Sequence, residues 1–251
     1  MEKNLENSIS KIEAGINTYV ENLVKLITVL LSFGTAYNPN LDLIKIPALQ
    51  ELVARVRHAI NEVDYFLPRA ISAESERQDK FALLLPLVTR VQAIAIVFGL
   101  PHAVVEHIKE LVRKMRGHRR HKLKPYTQYA GSEPEKHISV SQVSFTEQIE
   151  HFTQLVMTVA SEPLYDPSVE DLKVSSLEAF EQQLGLVNDA AIAALQPLAD
   201  ARMARDKLLY SPETGMMEVA IKAKEYVKAV FGANSPQYKE VWHIKFVNKK
   251  I

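Results

Sequence analysis

Residues 37–49 read YNPNLDLIKIPAL and residues 165–177 read YDPSVEDLKVSSL, so the chain contains two near copies of one short motif. In each copy a proline follows a tyrosine by two positions. The proline fixes its own φ and keeps the residue before it out of the helical region, which predicts a turn. The apolar-Lys-apolar tails, at residues 43–46 and 172–174, are predicted to be extended. We interpret each copy as a connector between two helices, with a symmetric pair of binding motifs as the alternative.

Helical periodicity surrounds both copies of the motif. Apolar residues spaced three and four apart form a stripe on one face of a helix. Around the first copy these are Ile9, Ile12, Ile16, Tyr19, Leu23, Leu26, Leu30 and Phe33, then Leu49, Leu52, Val53, Val56, Ile60, Val63, Phe66 and Leu67. Around the second copy they are Phe145, Ile149, Phe152, Val156 and Val159, then Leu177, Phe180, Leu184, Val187, Ala191, Leu195, Leu198 and Ala201. Gly34 can adopt the left-handed conformation that ends a helix, and Ser175 with Glu178 has capping-box spacing. A shorter helix is predicted over residues 102–115.

The two helical segments align with each other at a nearly constant spacing. Leu49 corresponds to Leu177, 128 positions later, and VFG at residues 97–99 corresponds to VFG at residues 230–232. An alignment of this kind indicates an internal duplication. The predicted fold is all-α, an elongated antiparallel helical bundle built from two tandem pseudo-symmetric repeats of long amphipathic helices.

The alignment also sets the predicted domains. Residues 1–116 are predicted to form the first helical repeat, and residues 117–138 a basic flexible linker. Residues 139–251 are predicted to form the second helical repeat, with an extended C-terminal tail because YKEVWHIKFVNKK alternates apolar and polar residues. We expect the two repeats to pack into one bundle.

Composition excludes several classes of protein. The chain has 251 residues, of which 47% are hydrophobic and only 8 are glycine, a profile typical of a soluble helical protein. A net charge of zero argues against general nucleic-acid binding. The absence of cysteine excludes disulfides, thiol nucleophiles and thiolate-bound metals. The N-terminal residues lack the apolar core of a signal peptide, so the expected location is the cytoplasm.

No motif in the sequence indicates catalysis. His102 and His107 are five positions apart, lie on different faces of a helix and do not match a zinc-protease spacing. The Glu-x-x-His spacing occurs once, from Glu240 to His243, whereas a di-iron bundle needs two such pairs. No glycine-rich phosphate loop or nucleophile elbow is present. We therefore predict a protein that is not an enzyme, with no catalytic residue, cofactor, metal or small-molecule substrate.

Residues 113–124, RKMRGHRRHKLK, form a basic run. Its seven lysines and arginines could contact phosphates or anionic lipid headgroups. They are Arg113, Lys114, Arg116, Arg119, Arg120, Lys122 and Lys124. The simpler interpretation is a solvated linker. A nucleic-acid contact is a weaker third interpretation, because the regular aromatic interleaving of a single-strand binder is missing.

Residues 81–101 form the most apolar stretch, in which Thr89, Arg90 and Gln92 are the polar interruptions. Its length approaches that of a membrane-spanning helix, but the central arginine counts against a simple span. The corresponding segment of the second repeat, residues 216–232, is amphipathic. We expect the stretch to be buried core or an oligomer interface, with membrane insertion as the alternative.

Three motifs resemble those of a group of uncharacterised bacterial helical proteins. They are YNPN before a short extended run, LVTRV at residues 87–91, and VFGANSPQYKEV at residues 230–241. The resemblance covers both repeats and implies an all-helical fold and a bacterial origin, but no activity. The chain departs from the pattern at Trp242 and His243, where the group has a small Ser-Gly pair before Ile-Lys-Phe.

The function expected from the sequence is that of a scaffold or oligomeric structural unit. It would act through protein–protein contacts, with a protein partner or with copies of itself. Tyr238, Trp242 and Phe246 are the predicted partner anchors, and packing of these side chains onto their own bundle is the alternative. The alternative function is a membrane-interacting protein that inserts residues 81–101 and is recruited to anionic lipid by residues 113–124.

Overall fold

Every regular element of the described chain is a helix. The computed structural model describes residues 2–117 and 144–246, with side chains from residue 15 onward. The helices are α1 (Glu2–Ser32), α2 (Ile46–Ala82), α3 (Leu84–Val97), α4 (His102–Met115), α5 (Phe145–Ala160), α6 (Val174–Tyr210), α7 (Met216–Phe231) and α8 (Pro236–Trp242). The predicted all-α class is therefore confirmed for these residues, which contain no strand.

Each copy of the connector motif folds as a turn held by its tyrosine. The Tyr37 hydroxyl donates a hydrogen bond to the Ile44 carbonyl oxygen at 2.7 Å. The Tyr165 hydroxyl donates to the Leu172 carbonyl oxygen at 3.0 Å. Three-residue 3₁₀ turns end at Ile44 and at Leu172, so the prediction of extended chain is wrong at these positions. The turn is favoured because it buries both apolar side chains while the tyrosine hydroxyl binds a main-chain oxygen.

The two long helices, α2 and α6, each run for 37 residues. The whole apolar stripe predicted from Leu177 to Ala201 lies within α6. The polar stretch of residues 72–80 continues α2 and does not interrupt it, because its side chains pair along the helix. Glu74 accepts hydrogen bonds from Arg77 and Gln78, at the three- and four-residue spacings that stabilise a helix.

The observed capping box lies at the start of α5. The Ser144 hydroxyl oxygen accepts from the Glu147 amide at 3.1 Å, and the Ser144 amide donates to the Glu147 carboxylate at 2.9 Å. The capping box predicted at Ser175 is wrong, since α6 begins at Val174 and the serine therefore lies inside its first turn.

The C-terminal tail begins within helix α8, so the prediction of an extended tail is wrong for residues 238–242. The Ser235 hydroxyl caps α8 by accepting from the Tyr238 amide at 3.0 Å. Pro236 occupies the first turn, where its fixed φ suits a helix. Tyr238 and Val241, three positions apart, then bury the same face.

The first compact unit contains Met1–Arg69 and Leu195–Ile251. Its core joins the apolar faces of α1, α7 and α8 with the first part of α2 and the last part of α6. Fully buried side chains in this core are Leu23, Leu26, Leu30, Leu49, Val56, Leu209, Met216, Met217 and Val227. We call this unit 1.

The second compact unit, unit 2, contains Ala70–Ala194. Its core joins α3, α4 and α5 with the last part of α2 and the first part of α6. Fully buried side chains in this core are Leu84, Val88, Val91, Ile108, Leu111, Phe152, Leu155, Leu177 and Leu184.

The boundaries of the two compact units fall at other positions than those of the predicted repeats, and the packing of the repeats into one bundle stays a prediction. The boundaries 1–116 and 139–251 follow the predicted repeats, whereas each unit contains helices from both of these ranges. The reason is that α4 of the first range packs on α5 of the second, and α8 likewise contacts α1. Of the predicted linker, residues 118–138 lie outside the described residues.

Candidate interaction surfaces

Helix α3 carries apolar side chains on its buried face and also on its exposed face. Leu84, Val88, Val91 and Ala95 are buried in unit 2. On the other face Val97 is 76% exposed and Ile96 is 50% exposed, and Leu83, just before the helix, is 57% exposed. The expectation of a buried stretch therefore describes only one face of α3. We call the exposed side chains of residues 83–97 the outer face of α3.

The centre of this outer face is polar. Arg90 forms a two-point ion pair with Asp171, one contact of which is 3.1 Å long. Thr89 accepts a hydrogen bond from the Arg116 guanidinium at 2.7 Å. Hydrogen bonding to its partner raises the pKa of Arg90 and lowers the pKa of Asp171. About half of each of these two side chains remains exposed, so both can still bind a further charged group.

One part of the described chain, Ile46–Val97, is apolar and long enough to cross a membrane by length and composition. It spans α2 and α3, and 28% of its most apolar window is buried. A core helix of a soluble protein can meet the same criterion.

The structure describes three of the seven predicted anion-binding residues. Arg113 and Lys114 both lie close to the Glu110 carboxylate, at 3.6 Å and 3.9 Å. Arg116 binds Thr89. The other predicted residues lie outside the described residues: Arg119, Arg120, Lys122 and Lys124. In the described part of the run, each basic side chain therefore has a contact within its own unit.

The three predicted partner anchors have different environments. Tyr238 is 7% exposed and belongs to the core of unit 1, and Phe246 packs partly against that core. Trp242 is 52% exposed, with its ring 6.0 Å from the Tyr238 ring. Of the three, Trp242 offers the largest accessible surface.

Two lysines flank Trp242. The Lys245 ammonium lies 5.1 Å from the indole centroid and the Lys224 ammonium 5.8 Å from it, within the range of cation–π attraction. Lys224 also donates to the Ile244 carbonyl at 2.8 Å, which fixes the chain after α8. Burial, and then the nearby Lys245 charge, lower the pKa of Lys224. The exposed indole is thus held in a basic environment.

A groove in unit 1 was not predicted from the sequence. It lies between α2 and α6, has a volume of about 630 Å³, and has small apolar side chains along its walls, among them Ala59, Ala201 and Ala204. Its polar lining residues are Arg55, His58, Glu62 and Asp200. The sequence shows that Arg55, His58 and Glu62 are three, four and seven residues apart on α2. Only the fold brings Asp200 of α6 to the same groove.

The described residues assemble no metal site. No cluster of three or more histidine, aspartate or glutamate side chains within the described ranges could hold a metal ion. His102 and His107 are both exposed on α4, and Glu240 and His243 are exposed around the end of α8. None of these four side chains is brought into a shared, buried site.

Comparison with protein-family models, with curated protein sequences and with solved structures finds no match to this chain. The resemblance to bacterial helical proteins therefore stays a prediction from the motifs.

Proposed function

We propose that this chain is an internally duplicated helical scaffold that acts by protein–protein contact, and that the outer face of α3 joins it to a second copy of itself. It has no catalytic role in this proposal. The observation that carries the proposal is the exposed apolar outer face of α3, since soluble proteins seldom leave such side chains grouped in water unless they are interaction sites.

Equal spacing of matched features supports the duplication. The tyrosine hydrogen bonds, the 3₁₀ turns and the two 37-residue helices are all separated by 128 positions. The same spacing relates two ion pairs, Asp42 with Lys45 and Glu170 with Lys173. Residues that bind each other in one copy therefore have bound counterparts in the other.

Charge and shape favour a second copy as the occupant. In a twofold dimer the same patch meets itself, so it must be self-complementary. The outer face of α3 meets this condition because Arg90 at its centre is paired with Asp171 of the adjacent 3₁₀ turn, so both charges are present, while its ends are apolar. Arg90 of each copy can bind Asp171 of the other while the apolar ends pack together.

The ion pair also favours a protein partner over a lipid one. Insertion of α3 into a bilayer would carry Arg90 and Asp171 out of water, which costs several kcal/mol per ion. At a protein interface the same charges keep polar partners. The membrane-interacting alternative is supported by the length and composition of Ile46–Val97, and it predicts binding to anionic vesicles at low salt.

Sedimentation velocity across a concentration series, without detergent, tests the proposal. The wild-type protein is expected to form a discrete oligomer, and Val97→Lys should weaken its association at least tenfold. Val97 is so exposed that the change leaves the core intact, and a lysine near the end of a helix suits the helix dipole.

Val230→Lys is the matched control. Val230 occupies the same place in the second VFG motif, at the end of α7, and is 47% exposed. It should leave the oligomer unchanged. A wild-type monomer at every concentration would overturn the proposal. Polydisperse association that detergent reverses, together with binding to phosphatidylserine vesicles, would replace it with the membrane alternative.

A further inference from the structure

The two compact units have the same internal plan of contacts. In unit 2, α4 packs on α5, α3 packs on α4, and α3 contacts the 3₁₀ turn Glu170–Leu172. In unit 1, α8 contacts α1, α7 packs on α8, and α7 contacts the 3₁₀ turn Asp42–Ile44. Each contact in one unit therefore has a counterpart in the other, made by the helices that correspond in sequence.

In both units the partners come from different halves of the chain. Helices α3 and α4 belong to the first predicted repeat, but they cover α5 and the start of α6 from the second. Helices α7 and α8 belong to the second repeat, but they cover α1 and the start of α2 from the first. The last two helices of each repeat thus complete the unit of the other repeat.

Two arginine side chains also reach from one predicted repeat to the other. The Arg77 guanidinium lies 4.2 Å from the centroid of the Phe145 ring and 3.4 Å from the Asn188 side-chain oxygen. Arg205, 128 positions later, is buried beside a small cavity that Ile16 and Ile60 also line.

These neighbours correspond to each other as well. Phe145 lies 129 positions after Ile16 in the matching first helix, and Asn188 lies 128 positions after Ile60 in the matching long helix. Each arginine therefore extends from the long helix of one repeat to the first two helices of the other.

We propose that the two repeats are obligate partners that exchange their C-terminal helix pairs, so that the single chain is a covalently joined form of an exchanged dimer. The partner surface for α3 and α4 is the apolar face of α5, with Phe152, Leu155 and Val159 at its centre. The partner surface for α7 and α8 is the apolar face of α1. This inference uses the duplication proposed above but is independent of any contact at the outer face of α3.

Amide hydrogen exchange, measured on the whole 251-residue chain, tests directly whether the helix pairs are exchanged between the repeats. Leu84→Ala removes a fully buried side chain of α3, and Met216→Ala removes one of α7. We expect Leu84→Ala to speed exchange in α5 at least tenfold while α1 stays within threefold of wild type. Met216→Ala should speed exchange in α1 and spare α5. The two variants control for each other, because each removes one large apolar side chain from a corresponding helix.

The opposite pattern would overturn the inference. If each repeat folds by itself, Leu84→Ala will loosen α1 and Met216→Ala will loosen α5. An equal loss of protection in α1 and α5 with either variant would also overturn it. If either variant fails to fold, Val91→Ala in α3 and Val227→Ala in α7 remove less from the same buried faces, and the same reciprocal pattern decides the result.

Discussion

Gly215 lies immediately before α7, at a position where one added methyl group should destabilise the protein. A methyl group on its Cα would lie 2.6 Å from both the amide nitrogen and the carbonyl oxygen of Ser211, and 2.9 Å from the carbonyl oxygen of Leu209. These are main-chain atoms, so rotation of a side chain cannot relieve the overlap. The φ of Gly215 is −68°, which alanine adopts readily, so any cost of Gly215→Ala comes from the overlap alone.

The expected loss of stability is about 1–3 kcal/mol, the usual cost of forcing extra volume into a packed site. For a chain of this size the loss corresponds to a fall in Tm of about 2–12 °C. Thermal and urea unfolding followed by circular dichroism at 222 nm measure it.

Gly185→Ala is the matched control. Gly185 lies inside α6, and a methyl group there would meet nothing within 4 Å. Alanine restricts the unfolded chain and suits a helix interior, so this variant should gain about 0.5–1 kcal/mol. If Gly215→Ala is as stable as wild type, or if both variants shift in the same direction, the steric reasoning is wrong.

Two further predictions concern single aromatic residues. Burial raises the pKa of Tyr165 to about 12 from its ordinary value of 10.0, so the folded protein retains a phenol proton that the unfolded chain loses first. The free energy of unfolding should therefore fall as the pH rises from about 10 to about 12. Between about pH 9 and pH 11 the urea midpoint should fall less in Tyr165→Phe than in the wild-type protein. An equal fall in both proteins would contradict this prediction. Trp242→Ala should preserve helical content and change stability by only about 0.5 kcal/mol, because half of the side chain is exposed; unfolding of this variant would show that the indole is core.

The helices were predictable because their apolar stripes follow helical spacing and their ends carry local signals. The helix over residues 102–115 and the left-handed Gly34 were both predicted and are both observed. The 3₁₀ turns were missed because the Tyr37 hydrogen bond to Ile44 joins residues seven positions apart. A periodicity count does not detect such a bond.

The candidate surfaces were less predictable than the helices. An apolar residue in α3 looks the same in the sequence whether it is buried, like Val91, or exposed, like Val97. A stripe identifies the face of a helix that will be covered, but it does not say which helix covers it. The packing of α4 on α5 could therefore not be derived from the repeats themselves.

The chain segments that make up each unit should also determine the order in which the two units fold during synthesis. Unit 2 is a continuous segment, Ala70–Ala194, and all of it is available once the first part of α6, up to Ala194, has emerged. Unit 1 needs α1, which is made first, and α8, which is made last. Roughly 200 residues separate them, so at bacterial and eukaryotic rates of about 5–20 residues per second the apolar face of α1 waits about 10–40 s for its cover. We expect the apolar face of α1 to stay exposed during that interval, and a pause in translation before α7 would prolong the exposure.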